Sequence, residues 1–124
     1  MTDAADIIAR YWAHCDAREW DQFGRLVAED VVYEVPQSRE RIRGRDTYVE
    51  FNRTYPGDWR IAVERITADD RHGVSWTSFL VDGTTQTGLC FFDLGDAGLI
   101  THITDFWPEP FEPPPGREHL TERY

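Results

Sequence analysis

Residues 99–107 read Leu99-Ile100-Thr101-His102-Ile103-Thr104-Asp105-Phe106-Trp107, and Pro108 ends this apolar stretch. The residues alternate as in a β-strand, whose successive side chains point to opposite faces. One predicted face carries Thr101, Ile103, Asp105 and Trp107, and the other carries Ile100, His102, Thr104 and Phe106. Asp105 therefore lies among large apolar groups, where the loss of water raises the pKa of a carboxyl towards that of a general base. The alternative is that Asp105 caps the strand end or pairs with an arginine.

Further strands are predicted before this one. Alternation, β-branched residues and turn residues place them at 31–35, 59–67, 73–81 and 84–94. Asp82-Gly83 and residues 95–98 supply hairpin turns, so the last four strands form an antiparallel meander. Pro36 ends the strand at 31–35, and residues 37–44 are predicted as a polar loop.

Helical spacing of apolar residues appears in three places. Ile7, Ile8, Tyr11, Trp12 and Cys15 predict a first helix over 3–16, with Thr2 or Asp3 as its cap. Trp20, Phe23, Leu26 and Val27 predict a short second helix, and residues 46–55 predict a third, ended by Pro56-Gly57. Helices segregated from an antiparallel sheet indicate the α+β class.

Length and composition indicate one domain over residues 1–124. Its 40% hydrophobic and 14% aromatic content is typical of a folded globular chain. Five of the seven prolines fall within 108–115, so residues 108–124 are predicted to form a Pro-rich tail. We expect this tail to fold back over the domain or onto a second subunit.

The net charge of −10 argues against nucleic acid as a partner, because phosphate backbones would be repelled. No apolar run is long enough for a membrane span, and residues 1–6 do not read as a signal peptide. We therefore expect a cytoplasmic protein with no nucleic-acid or membrane partner.

Cofactor chemistry is also constrained. All thirteen cationic residues are arginine, which excludes a Schiff-base lysine and a P-loop lysine. The four histidines show no metal-ligand spacing, and Cys15 and Cys90 are expected to be reduced, buried thiols. We predict neither a cofactor nor a metal site.

Taken in order, these elements resemble the nuclear transport factor 2-like superfamily, in which a cone-shaped curved antiparallel sheet wraps around three N-terminal helices. The resemblance covers essentially the whole chain. It is carried by Arg10-Tyr11-Trp12, Asp16-Ala17-Arg18-Glu19-Trp20-Asp21, Leu26–Tyr33, Ile42-Arg43-Gly44-Arg45, Phe91-Phe92, Gly98-Leu99-Ile100 and Asp105-Phe106-Trp107. Two further segments, 55–59 and 107–110, resemble a SnoaL-like (polyketide cyclase-like) branch.

The resemblance implies a pocket between helices and sheet. Asp105 matches the aspartate base of SnoaL-type cyclases, and Tyr11 matches the tyrosine that donates to the oxyanion in ketosteroid isomerases. Tyr11 as a core residue bonded to a backbone carbonyl is the alternative. The implied substrate-binding residues are Trp76, Ser78, Cys90, Phe92, Ile103, Trp107, Val35 and Phe51. Trp76 and Trp107 either fill the core or receive a flat aromatic ligand.

Departures from the family pattern narrow the implied chemistry. The isomerase base matches Val35, and its second oxyanion donor matches Cys90. In the epoxide hydrolases of the superfamily, two members of the catalytic set come from the region where Trp76 and Ser78 stand here. Neither mechanism is therefore expected to operate unchanged.

Three functions remain open from the sequence. The first is a cofactor-independent cyclase, isomerase, dehydratase or epoxide-opening enzyme acting on an apolar carbonyl or polycyclic substrate. The second is a carrier or sensor that binds a small apolar ligand without catalysis. The third is a scaffold whose pocket is filled by side chains. A homodimer is expected in each case, through outer sheet residues such as Ile100 and Phe106.

Overall fold

A computed structural model describes residues 3–124. Three helices are present: α1 spans Ala4–Asp16, α2 spans Trp20–Gly24 and α3 spans Arg45–Arg53. Asp3 caps α1, because its Oδ1 accepts a hydrogen bond from the Ala5 amide at 3.1 Å. The other predicted cap, Thr2, lies outside the described residues.

Six strands form a single sheet. They are β1 (Val27–Val35), β2 (Glu40–Arg43), β3 (Trp59–Ala68), β4 (His72–Val81), β5 (Thr84–Leu94) and β6 (Ile100–Phe106). Their spatial order is β2-β1-β6-β5-β4-β3. Strands β3 to β6 form the predicted antiparallel meander, and the α+β class is confirmed.

Strand β1 differs from its prediction at its N-terminal end, and the segment that follows β1 also differs. Val27, predicted in the second helix, starts β1, so this strand is four residues longer at its N-terminal end than predicted. Part of the predicted loop at 37–44 is instead strand β2, which pairs antiparallel with β1. The segment Glu40–Arg43 holds only one apolar residue, and pairing with β1 is what makes it a strand.

The pairing of β1 with β6 is parallel, whereas the sequence analysis predicted a wholly antiparallel sheet. Tyr33 lies opposite Ile103 in this pairing. Because residues i and i+2 share a face, the inward side chains of β1 and β6 are neighbours. This pairing places the first strand of the chain beside the last.

The core lies between the helices and the inner face of the sheet. Helix α1 turns its predicted apolar side towards β3 and β4, and Ile8 packs directly against Gly73. Ile100 is fully buried, so its predicted place on the outer face is wrong. The β5–β6 register shifts beside Leu94, which pairs with Ile100, while Asp93 pairs with His102. Thr101 is the extra residue, and it reverses the face of Ile100.

Beyond β6, residues 108–124 contain one 3-10 turn, Glu118–Leu120. The apolar tail residues Phe111, Leu120 and Tyr124 are exposed. Within residues 3–124, no helix has the length and apolar character needed to cross a membrane.

Candidate active site

A cavity of about 460 Å³ opens between the helices and the inner face of the sheet. Half of the residues that line it are aromatic, and they include Tyr11, Tyr33, Tyr48, Phe51, Tyr55 and Trp107. Exposed polar residues, among them Gln37, Ser38 and Glu109, line its outer part. The volume and lining suit a small, largely apolar ligand.

Asp105 lies on the wall of this cavity, on the inner face of β6, and is only 4% exposed. Three neighbours donate hydrogen bonds to its carboxylate. Tyr33 Oη donates to Oδ2 at 2.5 Å, and Trp107 Nε1 donates to the same oxygen at 3.0 Å. Cys90 Sγ donates to Oδ1 at 2.9 Å. All three donors are uncharged, so the carboxylate is solvated by dipoles and not paired with an arginine.

Burial raises the pKa of Asp105 above its ordinary value, because the charged form loses water. The hydrogen bonds from Cys90, Tyr33 and Trp107 oppose this shift, since they favour the carboxylate. The net direction remains upward. Such a perturbed acid on a cavity wall is a candidate functional group on physical grounds.

Tyr11 also lines the cavity, and its hydroxyl is hydrogen-bonded to the hydroxyl of Tyr48. The predicted alternative, a bond to a backbone carbonyl, is not the arrangement found. Burial raises the pKa of both phenols, so both stay protonated. Two hydroxyls carry two protons and the bond between them uses one. The pair therefore holds one further O–H proton that a ligand oxygen could accept.

The predicted site residues divide into three groups. Those that line the cavity are Tyr11, Val35, Phe51, Asp105 and Trp107. Cys90 is buried beside Asp105 as its hydrogen-bond donor, while Phe92 and Ile103 are core residues. The third group consists of Trp76 and Ser78, which the structure places elsewhere.

The predicted inward orientation of Trp76 and Ser78 is wrong. Trp76 is 47% exposed, and Ser78 Oγ donates a hydrogen bond to Glu64 at 2.8 Å. The inner face of β4 instead carries Ser75 and Thr77, which are buried. The physical reason is a specific partner: the Trp12 indole donates to Ser75 Oγ at 2.9 Å, which holds this face of β4 against α1.

Sequence reasoning missed Tyr33 and Tyr48. Tyr33 lies two residues from Val35, which the resemblance already assigned to the pocket, so the period of the strand was a signal for its inward direction. Tyr48 is fully buried on α3, and its ring lies 4.8 Å from that of Tyr33. No sequence motif indicated Tyr48 as a site residue, because its hydrogen bond to Tyr11 joins two helices that are distant in the sequence.

Solved structures share this fold over nearly the whole chain. A candidate ketosteroid isomerase from Kribbella flavida DSM 17836 is 43% identical, with a TM-score of 0.95 over 98% of this chain and 89% of that chain. An NTF-2 like protein of unknown function from Burkholderia xenovorans LB400 is 22% identical, with a TM-score of 0.84 over 98% of this chain and 94% of that one.

A more distant structure is an LEH-like epoxide hydrolase from M. tuberculosis. It is 19% identical, with a TM-score of 0.72 over 85% of this chain and 82% of that chain, so it shows the fold alone. The likeness to these structures confirms the predicted nuclear transport factor 2-like architecture.

Among curated proteins, the comparison finds no significant match. The family described as SnoaL-like domain matches residues 8–103, which include most of α1, the first five strands and the start of β6. This match spans most of the chain, and the protein therefore belongs to the SnoaL-like domain family.

Proposed function

We propose that this protein is a cofactor-independent acid–base enzyme that removes a proton next to a carbonyl in an apolar, cyclic or polycyclic substrate. Asp105 is the general base, and the hydroxyl pair of Tyr11 and Tyr48 stabilises the oxyanion that forms. The carrying observation is the buried carboxylate of Asp105, which lies on the wall of an aromatic cavity with only uncharged hydrogen-bond donors.

The hydrogen bonds indicate which oxygen acts. A carboxylate oxygen has two lone pairs, and Oδ2 of Asp105 already accepts from Tyr33 and Trp107. Oδ1 accepts only the Cys90 thiol and keeps one lone pair. We assign Oδ1 as the atom that accepts the substrate proton.

The reaction balances within the substrate and this one carboxylate. The C–H bond breaks, its proton goes to Oδ1, and its electron pair forms an enolate. The remaining proton of the Tyr11–Tyr48 pair then hydrogen-bonds to the enolate oxygen, where a fixed donor in a dry cavity is most effective. Return of the proton to another carbon completes an isomerisation. In an aldol cyclisation the enolate attacks a second carbonyl, and the alkoxide that forms takes the proton back from Oδ1.

The name of the Kribbella relative suggests ketosteroid isomerisation, but two positions favour a different use of the same cavity. Val35, which matches the isomerase base, lines the cavity and has no proton-transfer group. Cys90, which matches the second oxyanion donor, is committed to Asp105. The base on β6 is therefore the centre of our proposal.

A non-catalytic carrier or sensor is the second candidate. One observation favours it: Asp105 already accepts three hydrogen bonds, and each of them lowers its affinity for a proton. A carboxylate held in this way also serves as a fixed acceptor for a ligand hydroxyl. The cavity itself argues against the third possibility, a scaffold with a filled pocket.

We also propose a cytoplasmic homodimer. The outer face of the sheet exposes Trp76, Leu80 and Phe91, and such clusters of apolar side chains commonly meet a second copy. Light scattering at micromolar concentration tests the dimer, and a monomeric mass contradicts it. Cell fractionation tests the location.

Proton abstraction can be tested without knowing the natural substrate. Uncharged ketones, such as a tetralone, a decalone and a Δ5-unsaturated steroid ketone, are incubated with the protein in D₂O, and loss of the α-C–H signal is followed by proton NMR. We expect exchange with wild type, and a decrease of about a hundredfold or more in Asp105→Asn, the usual scale for loss of a general base.

Asp93→Asn is the matched control, because Asp93 is an exposed carboxylate on the neighbouring strand β5. Exchange at the same rate in wild type and Asp105→Asn contradicts the proposal. Ketones that bind both proteins equally, and that exchange with neither, favour the carrier.

A further inference from the structure

The turn between β1 and β2 carries Gln37, whose side chain contacts the backbone at the end of β6. Gln37 Nε2 donates a hydrogen bond to the Trp107 carbonyl at 3.0 Å, and the Trp107 amide donates to Gln37 Oε1. Strand β6 ends at Phe106, so Trp107 follows the last paired residue of this strand. The side chain of Gln37 thus bonds the backbone of Trp107 as a neighbouring strand would.

Fixing this backbone also fixes the Trp107 ring. The indole N–H is one of the three donors to Asp105, at 3.0 Å from Oδ2. The ring packs against Phe79, with centroids 5.3 Å apart, and lies over Gly88, where a Cβ would approach its carbons to 3.4 Å. A small movement of the Trp107 backbone would therefore carry the indole N–H away from the carboxylate.

We propose that Gln37 is a positioning residue for the Asp105 site: its two hydrogen bonds to the Trp107 backbone hold the Trp107 indole N–H against the Asp105 carboxylate. This inference rests on the proposed function for its catalytic meaning, since Asp105 is the base there. Its structural content, the link from Gln37 through Trp107 to Asp105, stands independently of any reaction.

The surroundings of Gln37 favour this positioning role over a purely structural one. Gln37 is exposed and buries little apolar surface, and both of its side-chain hydrogen bonds go to Trp107. The groups around the carboxylate come from separate elements: Tyr33 from β1, Cys90 from β5, and Tyr48 from α3. None of these groups bonds to Gln37, so its influence on Asp105 passes through Trp107.

The test measures the ionisation of Asp105 directly. Protein labelled with carbon-13 at the aspartate carboxyls is titrated by NMR, and the Asp105 resonance is assigned by its absence from Asp105→Asn. We expect Gln37→Met, which keeps length and volume but loses both hydrogen bonds, to move the Asp105 midpoint to higher pH. Trp107→Phe should move it in the same direction, because the indole donor favours the carboxylate.

Two controls separate positioning from general disturbance. Ser38→Ala changes the adjacent cavity-lining residue, which has no bond to Trp107, and should leave the midpoint unchanged. In a Trp107→Phe background, Gln37→Met should cause no further movement, because residues that act through one shared group are not additive.

The inference is overturned if Gln37→Met leaves the midpoint of Asp105 where it is, or if it moves the midpoint equally with and without Trp107. It is also overturned if Trp107→Phe causes no movement. None of these measurements needs a substrate. Absence of ketone exchange would therefore contradict the proposed function, whereas the positioning role of Gln37 would still be decided by the Asp105 midpoints.

Discussion

Tyr33 and Asp105 are 72 residues apart in the sequence, yet the Tyr33 hydroxyl lies 2.5 Å from Oδ2 of Asp105. The contact exists because β1 and β6 pair in parallel, with Tyr33 opposite Ile103. A phenol has one O–H group that can donate a hydrogen bond, and Tyr33 donates it to the Asp105 carboxylate. Tyr33 is therefore a principal neighbour of the proposed base.

Replacing Tyr33 with Phe should raise the pKa of Asp105, because one donor to the carboxylate is lost. We also expect the free energy of unfolding to fall by about 1.5 to 3 kcal/mol, the usual contribution of a hydrogen bond to a charged group. Carboxyl NMR and urea denaturation measure the two effects. Tyr55→Phe is the control, since Tyr55 lines the same cavity but is 41% exposed. An unchanged Asp105 midpoint in Tyr33→Phe contradicts this prediction.

The stability of the protein should depend on the ionisation of Asp105 with a definite sign. Its folded-state pKa is raised above the ordinary value of 3.8, so between these two values the folded state binds more protons than the unfolded state. The contribution of Asp105 to stability therefore decreases as pH rises through this window. The difference in unfolding free energy between wild type and Asp105→Asn should fall with pH there. A difference that increases with pH would show that the folded-state pKa is lowered.

Gly88 should not tolerate a side chain. A Cβ at this position would lie 2.9 Å from Thr77 Oγ1 and 3.4 Å from the Trp107 ring. We expect Gly88→Ala to destabilise the protein by about 1 to 3 kcal/mol, as overpacked interiors do, and to shift the Trp107 indole resonance. Gly83→Ala serves as a comparison for space, because a Cβ there meets nothing within 4 Å, although its positive φ adds backbone strain. An unmoved Trp107 resonance in Gly88→Ala would count against this packing.

The two thiols should be unreactive in the folded protein. Burial raises the pKa of Cys15 to about 12, and burial together with Asp105 raises the pKa of Cys90. Thiolates are the reactive form, so a disulfide reagent at pH 8 should react with neither residue until denaturant is added. Unfolding should then release two free thiols. Rapid reaction of a native thiol is the contrary result, and Cys15→Ser and Cys90→Ser variants identify which residue reacts.

Much of the fold was readable because β6 and α1 carry strong periodic patterns. The alternation of β6 predicted an inward Asp105, and the helical spacing of α1 predicted its buried side, with Ile8 and Tyr11 at its centre. The exception in β6 was Ile100, whose face is reversed by the extra residue Thr101. A bulge depends on the partner strand, and local alternation cannot indicate it.

Strand β4 shows why the face of a strand can be misread. Trp76 and Phe79 lie on opposite faces, so each face carries a large apolar residue and hydrophobicity does not decide between them. The choice is made by Trp12, which bonds to Ser75 from a helix more than sixty residues earlier. The cavity was readable as a family property, whereas Tyr48 and Gln37 were not, because their roles come from long-range hydrogen bonds, one for Tyr48 and two for Gln37.

The parallel neighbours β1 and β6 also have a kinetic consequence. Contacts between segments so distant in the chain close a large loop, and a topology rich in such contacts folds slowly. During synthesis on the ribosome, Tyr33 emerges long before Asp105 does. The contact between Tyr33 and Asp105 thus cannot form on a nascent fragment that lacks β6, and the proposed activity should appear only with the final cooperative folding transition.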